Sequence, residues 1–197
     1  MKKQLIVLLL AVVALVMASP SAGWAQKGPI KIGFLTQMTG GGAAVGKDMS
    51  GGFMMYLEEI GQQMGGRKVE VIIEDTQGDP AAALTKLRKL VESDNVHAVA
   101  GIFLANEGYA LAPKVDEYRI PTVWAVVSAD DLTQRKPVKW AVRTGWTSSQ
   151  PNHPFGEWAH KSLGYKRVVT VAMDYAFGWE QVGGFPATTV ITRAFSR

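Results

Sequence analysis

The chain has 197 residues, and its 21 lysines and arginines stand against 17 aspartates and glutamates for a formal charge of +4. Lys2 and Lys3 supply half of that excess and the remaining basic residues are scattered, so the composition excludes a nucleic-acid stripe. No cysteine occurs, which excludes disulfides, thiolate nucleophiles and thiolate metal sites together.

The first residues, MKKQLIVLLLAVVALVMASPSAGWAQ, place two lysines before an apolar run from Leu5 to Ala18. Gly23 and Ala25 then occupy the small-residue positions of a cleavage site, so residues 1–25 read as a secretory signal peptide. The run of 14 residues is short for a bilayer span, which needs roughly 20, and a retained N-terminal anchor is the alternative reading. Removing residues 1–25 leaves 172, one ordinary domain or two small lobes. Export through an inner membrane places the mature chain in the periplasm, where a protein without cysteine depends on its core alone.

Ile30 to Thr36 is a short apolar run that predicts a strand, followed by a glycine-rich turn. Val45, Met49, Phe53, Leu57 and Ile60 then recur every three or four positions, which predicts a helix. Gly51 and Gly52 lie inside it at a cost of about 0.5–1 kcal/mol each relative to alanine, so close packing against a neighbour is the expected compensation. Lys68 to Glu74 is the next strand. Asp79 before Pro80 marks a helix start, an N-cap acceptor with a residue preorganised for the first turn, and Leu84, Leu87, Leu90 and Val91 form its inner stripe.

His97 to Phe103 predicts a third strand, Glu107 to Tyr118 a third helix and Ile120 to Val127 a fourth strand. Alternating apolar strands and amphipathic helices predict an α/β fold, a parallel sheet with helices on both faces. Such a sheet binds ligands outside the carboxyl ends of its strands, which selects the loops at 37–47, 75–79, 104–107 and 124–131. Beyond Pro137, VKWAVRT reads as a strand and crossover. Ser148 to Pro151 opens a helix with Phe155, Trp158, Ala159 and Leu163 along one stripe, Lys166 to Met173 is a strand, and a helix begins at Ala176. A unit with so few strands cannot bury a sheet face. Residues 186–197 are atypical: Pro186 interrupts the helix, and Thr188 to Thr192 is a β-branched run that reads as a truncated or frame-shifted end, or alternatively as an edge strand.

The stretch from Gly41 to Asp48, GGAAVGKD, falls one residue short of a phosphate-binding loop. That loop needs a Ser or Thr hydroxyl for magnesium after its lysine, and Asp48 would instead turn a carboxylate toward the phosphates. What remains is a tight turn from Gly40 to Gly42 whose helix-start amides suit a ligand anion, with Gly41 as the candidate contact and a plain short turn as the alternative. Catalysis finds no constellation. His97, His153 and His160 have no i,i+4 partner, and the adjacent acids Glu58-Glu59 and Asp130-Asp131 point about 100° apart on a helix. No catalytic residue, metal site or cofactor is therefore assigned, and the chain reads as a non-enzyme.

IKIGFLTQMTG at 30–40, GKDMSGGFMMYLEEI at 46–60, GRKVEVIIEDTQGDPAAALTKLRKLV at 66–91, ADDLTQR at 129–135, RTGWTSSQ at 143–150 and DYAFGWEQVGGF at 174–185 resemble, in order and spacing, one family. It is the periplasmic substrate-binding proteins of branched-chain amino acid type ABC importers, which have the type I periplasmic binding fold. The resemblance implies two α/β lobes closing on a ligand, with residues 26–144 as most of the first lobe and 145–185 as only the opening of an incomplete second. It also implies a small-molecule ligand, an ABC permease in the inner membrane as partner, no nucleic acid, and binding without chemistry. Ligands on this reading are a branched-chain or aromatic amino acid, or a related small carboxylate or amide. A ligand-sensing module of the same fold, or a non-functional fragment, is the alternative.

Matching the family's contacts onto this chain implicates Ser128 first, as a hydroxyl for the ligand carboxylate, with Val127 beside it and N-capping of the turn at Asp130-Asp131 as its alternative role. Ala105 stands where the family often carries a serine, and Asn106 is able to take over part of that task or to cap the following helix. Trp124 is either an aromatic wall of the cleft or a core residue. Phe177 matches an aromatic that covers the ligand, and Tyr175 adds a hydroxyl nearby. The acidic residue that pairs with a ligand ammonium in amino acid binders has no counterpart, in line with the incomplete second lobe, and Ala105 together with Trp124 favours an aromatic acid or similar carboxylate over leucine or valine.

Overall fold

The computed structural model describes residues 28–185 and 190–195. β1 (Ile30–Thr36) is the middle of the first sheet and the residues from Ile32 onward are nearly all buried, because the strand has neighbours on both edges and helices on both faces. It pairs in parallel with β3 (Arg67–Asp75) on one side and with β4 (Ala98–Gly101) on the other. β2 (Gln63–Met64) adds a short antiparallel edge to β3; β5 (Thr122–Trp124) and β6 (Ala141–Arg143) continue the parallel sheet beyond β4. The order is β2-β3-β1-β4-β5-β6.

The crossovers are α1 (Ala43–Glu59), α2 (Pro80–Arg88, running on into a π-turn at Lys89–Ser93) and α3 (Ala105–Tyr118). Asp79 Oδ1 accepts the Ala81 amide at 2.8 Å, the cap expected from Asp79-Pro80. Leu35, Leu87, Leu90, Val99, Leu111 and Val115 close the larger core under α2 and α3. On the other face Leu57 meets Ile32 and Val69, while the Phe53 ring lies 5.1 Å from Phe34. Val45 remains exposed, so the buried stripe of α1 is narrower than its periodicity. Gly51 and Gly52 are also exposed, and a Cβ on either would meet nothing within 4 Å, which overturns the expected close packing.

Two strands are shorter than their apolar runs. β4 ends at Gly101 because Gly101 and Ile102 both take positive φ, 93° and 61°, and swing the chain off the sheet. His97 precedes the strand, and its Nδ1 accepts the Lys31 amide at 3.0 Å, a structural role. β5 stops at Trp124, whose side chain enters the core.

The chain then passes from β6 into a second unit of α4 (Asn152–Lys161), β7 (Val168–Met173) and α5 (Ala176–Gly183), with β8 (Val190–Phe195) parallel to β7. The backbone of 190–195 thus runs as a strand. On α4 the buried residues are Gly156 and Ala159, whereas Phe155, Trp158 and Leu163 are exposed, contrary to the expected stripe. Two strands offer too little surface to cover those side chains. One face of β7 is open too, with Val169, Val171 and Met173 all more than half exposed. Among the described residues no helix is long and apolar enough to cross a membrane; the expected signal peptide lies outside them.

Candidate functional site

In the sheet order, the chain moves one way from β1 to β3 and the other way from β4 to β6. The crevice between the carboxyl ends of β1 and β4 is therefore a topological switch point, where backbone donors from two diverging loops face an open space. A cavity of about 520 Å³ opens on the β4 side of it, between the two units, over the loops that follow β4, β5 and β6. Phe103, Ala105, Ala125, Val126 and Ser128 line it from the first unit, and Met173, Tyr175, Phe177 and Gln181 from the second. Gly145, Trp146 and Pro151 of the connection complete the wall. No side chain in this lining carries a charge.

Four of the residues implicated by sequence, Ser128, Ala105, Tyr175 and Phe177, are thus brought together. Ser128 is buried, and its hydroxyl lies 3.0 Å from the Ser148 hydroxyl, while the Ser148 amide donates to the Ser128 carbonyl at 2.7 Å. The Tyr175 and Phe177 rings stack at 6.0 Å, and burial raises the Tyr175 phenol above its ordinary pKa, keeping it a neutral hydroxyl. Gly178 lets this pair reach the cavity: a Cβ there would fall 2.0 Å from the Met173 carbonyl, so α5 closes down on the end of β7 only with glycine.

The other four stand apart from the lining. Trp124 and Val127 are fully buried in the core of the first unit, Trp124 because strand alternation turns it inward with Thr122. Asn106 sits in the first turn of α3 with its side-chain oxygen buried and unpartnered; the residue before the helix is Leu104, whose amide is taken by Glu107 Oε2 at 3.1 Å, so the capping role expected of Asn106 falls away. Gly41 lies exposed on the short turn Gly40–Gly42, with open space where a Cβ would be. Sequence reasoning missed Phe103, Trp146 and Gln181. Phe103 sat one residue outside the loop chosen after the third strand, Trp146 lies within the RTGWTSSQ stretch, and Gln181 follows Phe177 by one helical turn.

The turn Asp130–Thr133 is preceded by Ala129, with no side-chain cap, so Ser128 is not its cap. Nor are its amides free. Glu180 of α5 accepts the Asp130 amide at 3.2 Å and the hydroxyl of Tyr109, and that hydroxyl in turn accepts the Asp131 amide at 3.3 Å. Burial first, and the Glu180 carboxylate second, hold the Tyr109 phenol far above its ordinary pKa. Arg143 stands behind this pair, donating to the Ala129 carbonyl at 2.7 Å and to Thr133 Oγ1 at 2.6 Å. Burial lowers its pKa against the attraction of Asp130 and Glu180. Asp130 Oδ1 accepts the Ser149 amide at 3.0 Å, which ties the second unit to the same turn. The Glu180 carboxylate of the second unit therefore takes up the Asp130 amide, and the Tyr109 hydroxyl the Asp131 amide.

Residues 29–190 match the family model described as periplasmic binding protein. The chain is 28% identical over 179 residues to the Leu/Ile/Val-binding protein homolog 6 of Brucella abortus, covering 90% of this chain and 45% of that protein. Among solved structures it is similar to an ABC transporter substrate-binding protein from Sphaerobacter thermophilus, at 33% identity and a TM-score of 0.75, over 86% of this chain and 47% of that one. It is also similar to an ABC transporter solute-binding protein from R. palustris in complex with benzoate, at 28% identity and a TM-score of 0.77, over 85% of this chain and 49% of that one. The chain spans about half the length of these relatives. Its α/β architecture is that of the type I periplasmic binding proteins, and by the match over 29–190 the chain belongs to the periplasmic binding protein family.

Proposed function

We propose that this chain is the extracytoplasmic solute-binding part of an ABC importer, gripping a small carboxylate with an aromatic or branched aliphatic body and performing no chemistry on it. The observation that carries the reading is the cavity of about 520 Å³ at the carboxyl ends of β4, β5 and β6, within the roughly 300–1,000 Å³ of small-molecule sites. Its apolar and aromatic walls suit a hydrocarbon body. Ser128 and Gln181 supply polar groups, and in a dry cleft an aligned donor holds a carboxylate oxygen more strongly than at an open surface. The rings of Phe103, Trp146, Tyr175 and Phe177 in that lining suit an aromatic carboxylate. The relative crystallised with benzoate is in keeping with an aromatic carboxylate, and the Leu/Ile/Val-binding homolog with a branched aliphatic one. A permease in the inner membrane is the partner that this role requires, and residues 1–25 are the proposed export signal.

The test is a thermal-shift and calorimetric titration of the full chain with benzoate, 4-hydroxybenzoate, L-leucine and L-isoleucine. Benzoates are expected to raise the melting temperature most. Ser128→Ala is expected to weaken the bound carboxylate about 10- to 100-fold, the usual worth of a hydrogen bond to a charged group. A melt indifferent to all four compounds overturns the reading.

A further inference from the structure

We propose that Phe103 determines which aromatic carboxylates the cavity admits, and that Gln37, sheathed by glycines behind it, holds the ring in place. The proposal rests on the binding reading above. Gln37 follows β1 and is only 7% exposed. Its side chain is enclosed by three glycines: a Cβ on Gly42 would lie 2.1 Å from Gln37 Oε1, one on Gly78 2.8 Å from Nε2 and one on Gly40 3.2 Å from Nε2. Gly40 and Gly78 also need glycine for their backbone, at φ +76° and +74°. Gly42, at φ −98°, does not, so space alone constrains it. The same added Cβ on Gly42 would lie 2.9 Å from Phe103 Cε1. Gly42 is thus the point where Gln37 and Phe103 both bear on the backbone.

Gln37 has nowhere to retreat. Its Nε2 reaches the Gln77 carbonyl at 3.4 Å, and Asp75 pins the loops on either side. Asp75 Oδ1 accepts the amides of Met38 and Gln77 at 2.8 Å each, and Oδ2 accepts the Thr39 hydroxyl at 2.6 Å. Phe103 therefore has a stiff back and an open front, the cavity it shares with Tyr175 and Phe177. Bulk added at Gly42 pushes the ring into ligand space, and bulk removed at Phe103 enlarges that space. Of the stretch that mimics a phosphate loop in sequence, Gly42 serves to enclose a glutamine.

The test measures dissociation constants of the full chain for benzoate, 4-propylbenzoate and L-leucine. Phe103→Ala is expected to shift the ratio of the two benzoates about tenfold or more in favour of the bulkier one, the scale of a few methylenes in an apolar pocket. Gln37→Ala, which removes the side chain lying beside Gly42, is expected to shift it the same way, and Gly42→Ala the opposite way. Gly41→Ala, with open space at its Cβ, leaves the ratio unchanged. Phe103→Leu guards against a misfolded alanine variant and is expected to give an intermediate shift. Cooperatively melting Phe103 variants with an unchanged ratio overturn the proposal, as does wild-type protein that binds L-leucine but neither benzoate, a result that leaves the binding reading intact. Wild-type protein that binds none of the three overturns the binding reading itself.

Discussion

Asp75 shows how one carboxylate at the end of a strand organises the rim of a cleft. Burial alone would raise its pKa, but the Thr39 hydroxyl and the amides of Gln77 and Met38 outweigh that and hold it below its ordinary value of 3.8. A group whose pKa is lowered by folding stabilises the fold fully above the ordinary value, and that contribution drains away as pH falls through the lowered folded value. Glu74, next to it, is lowered in the same sense: burial opposes, and Lys86 and Lys89 prevail at 2.7 Å each. The expected outcome is a melting temperature that falls below about pH 4. Asp75→Asn should melt lower at neutral pH yet lose less on acidification than the wild type. A variant whose acid limb runs parallel to the wild type would show that Asp75 is not linked to folding.

Within α1, glycines at different positions face opposite demands. Gly46 must be glycine, since a Cβ would fall 1.8 Å from the Gln37 carbonyl, a backbone atom unable to yield. Gly51 and Gly52 face open space in the same helix, so Gly51→Ala and Gly52→Ala are each expected to stabilise the chain by about 0.5–1 kcal/mol, read from denaturant midpoints at constant m value. Loss of stability in either variant would mean that another surface closes on this face. Sequence could not distinguish these glycines, because spacing along a helix reveals the face but not what lies opposite it. Apolar runs located β1 to its end residues, and Asp79-Pro80 located the start of α2, because both signals are local. β4 and β5 were read too long, since the positive φ at Gly101 and Ile102 leaves no mark on hydrophobicity. Site residues followed the same division. Ser128, Ala105, Tyr175 and Phe177, carried over from the family resemblance, sit where loops meet strand ends or helix starts and line the cavity. Phe103, Trp146 and Gln181 reach the cavity only through the packing of one unit on the other.

At the scale of the molecule, the two units differ in how far each supports itself. The first has a six-stranded sheet with a core on each face, whereas the second has two strands, an open face on β7 and exposed aromatics on α4. Its order depends on what joins it to the first. At the base of the cavity Glu180 does so on Tyr109 and the Asp130 amide, with Ser149 on Asp130 and Ser148 on Ser128 from the connection and Ala176 and Phe177 packed on the first unit's core. Because these lie beside the cavity, the proposed binding would be coupled to the seating of α5. Glu180→Ala leaves the Tyr109 hydroxyl and the Asp130 amide without their acceptor, at a cost of about 1–3 kcal/mol, or a rise in local opening of about 5- to 150-fold. Hydrogen exchange is therefore expected to accelerate in α4 and α5 of this variant while β1, β3 and β4 keep their protection, and a bound benzoate is expected to restore part of the loss. Acceleration spread evenly through β1 and β4 would show instead that the two units open as one, and that Glu180 supports the whole fold rather than the joint beside the cavity.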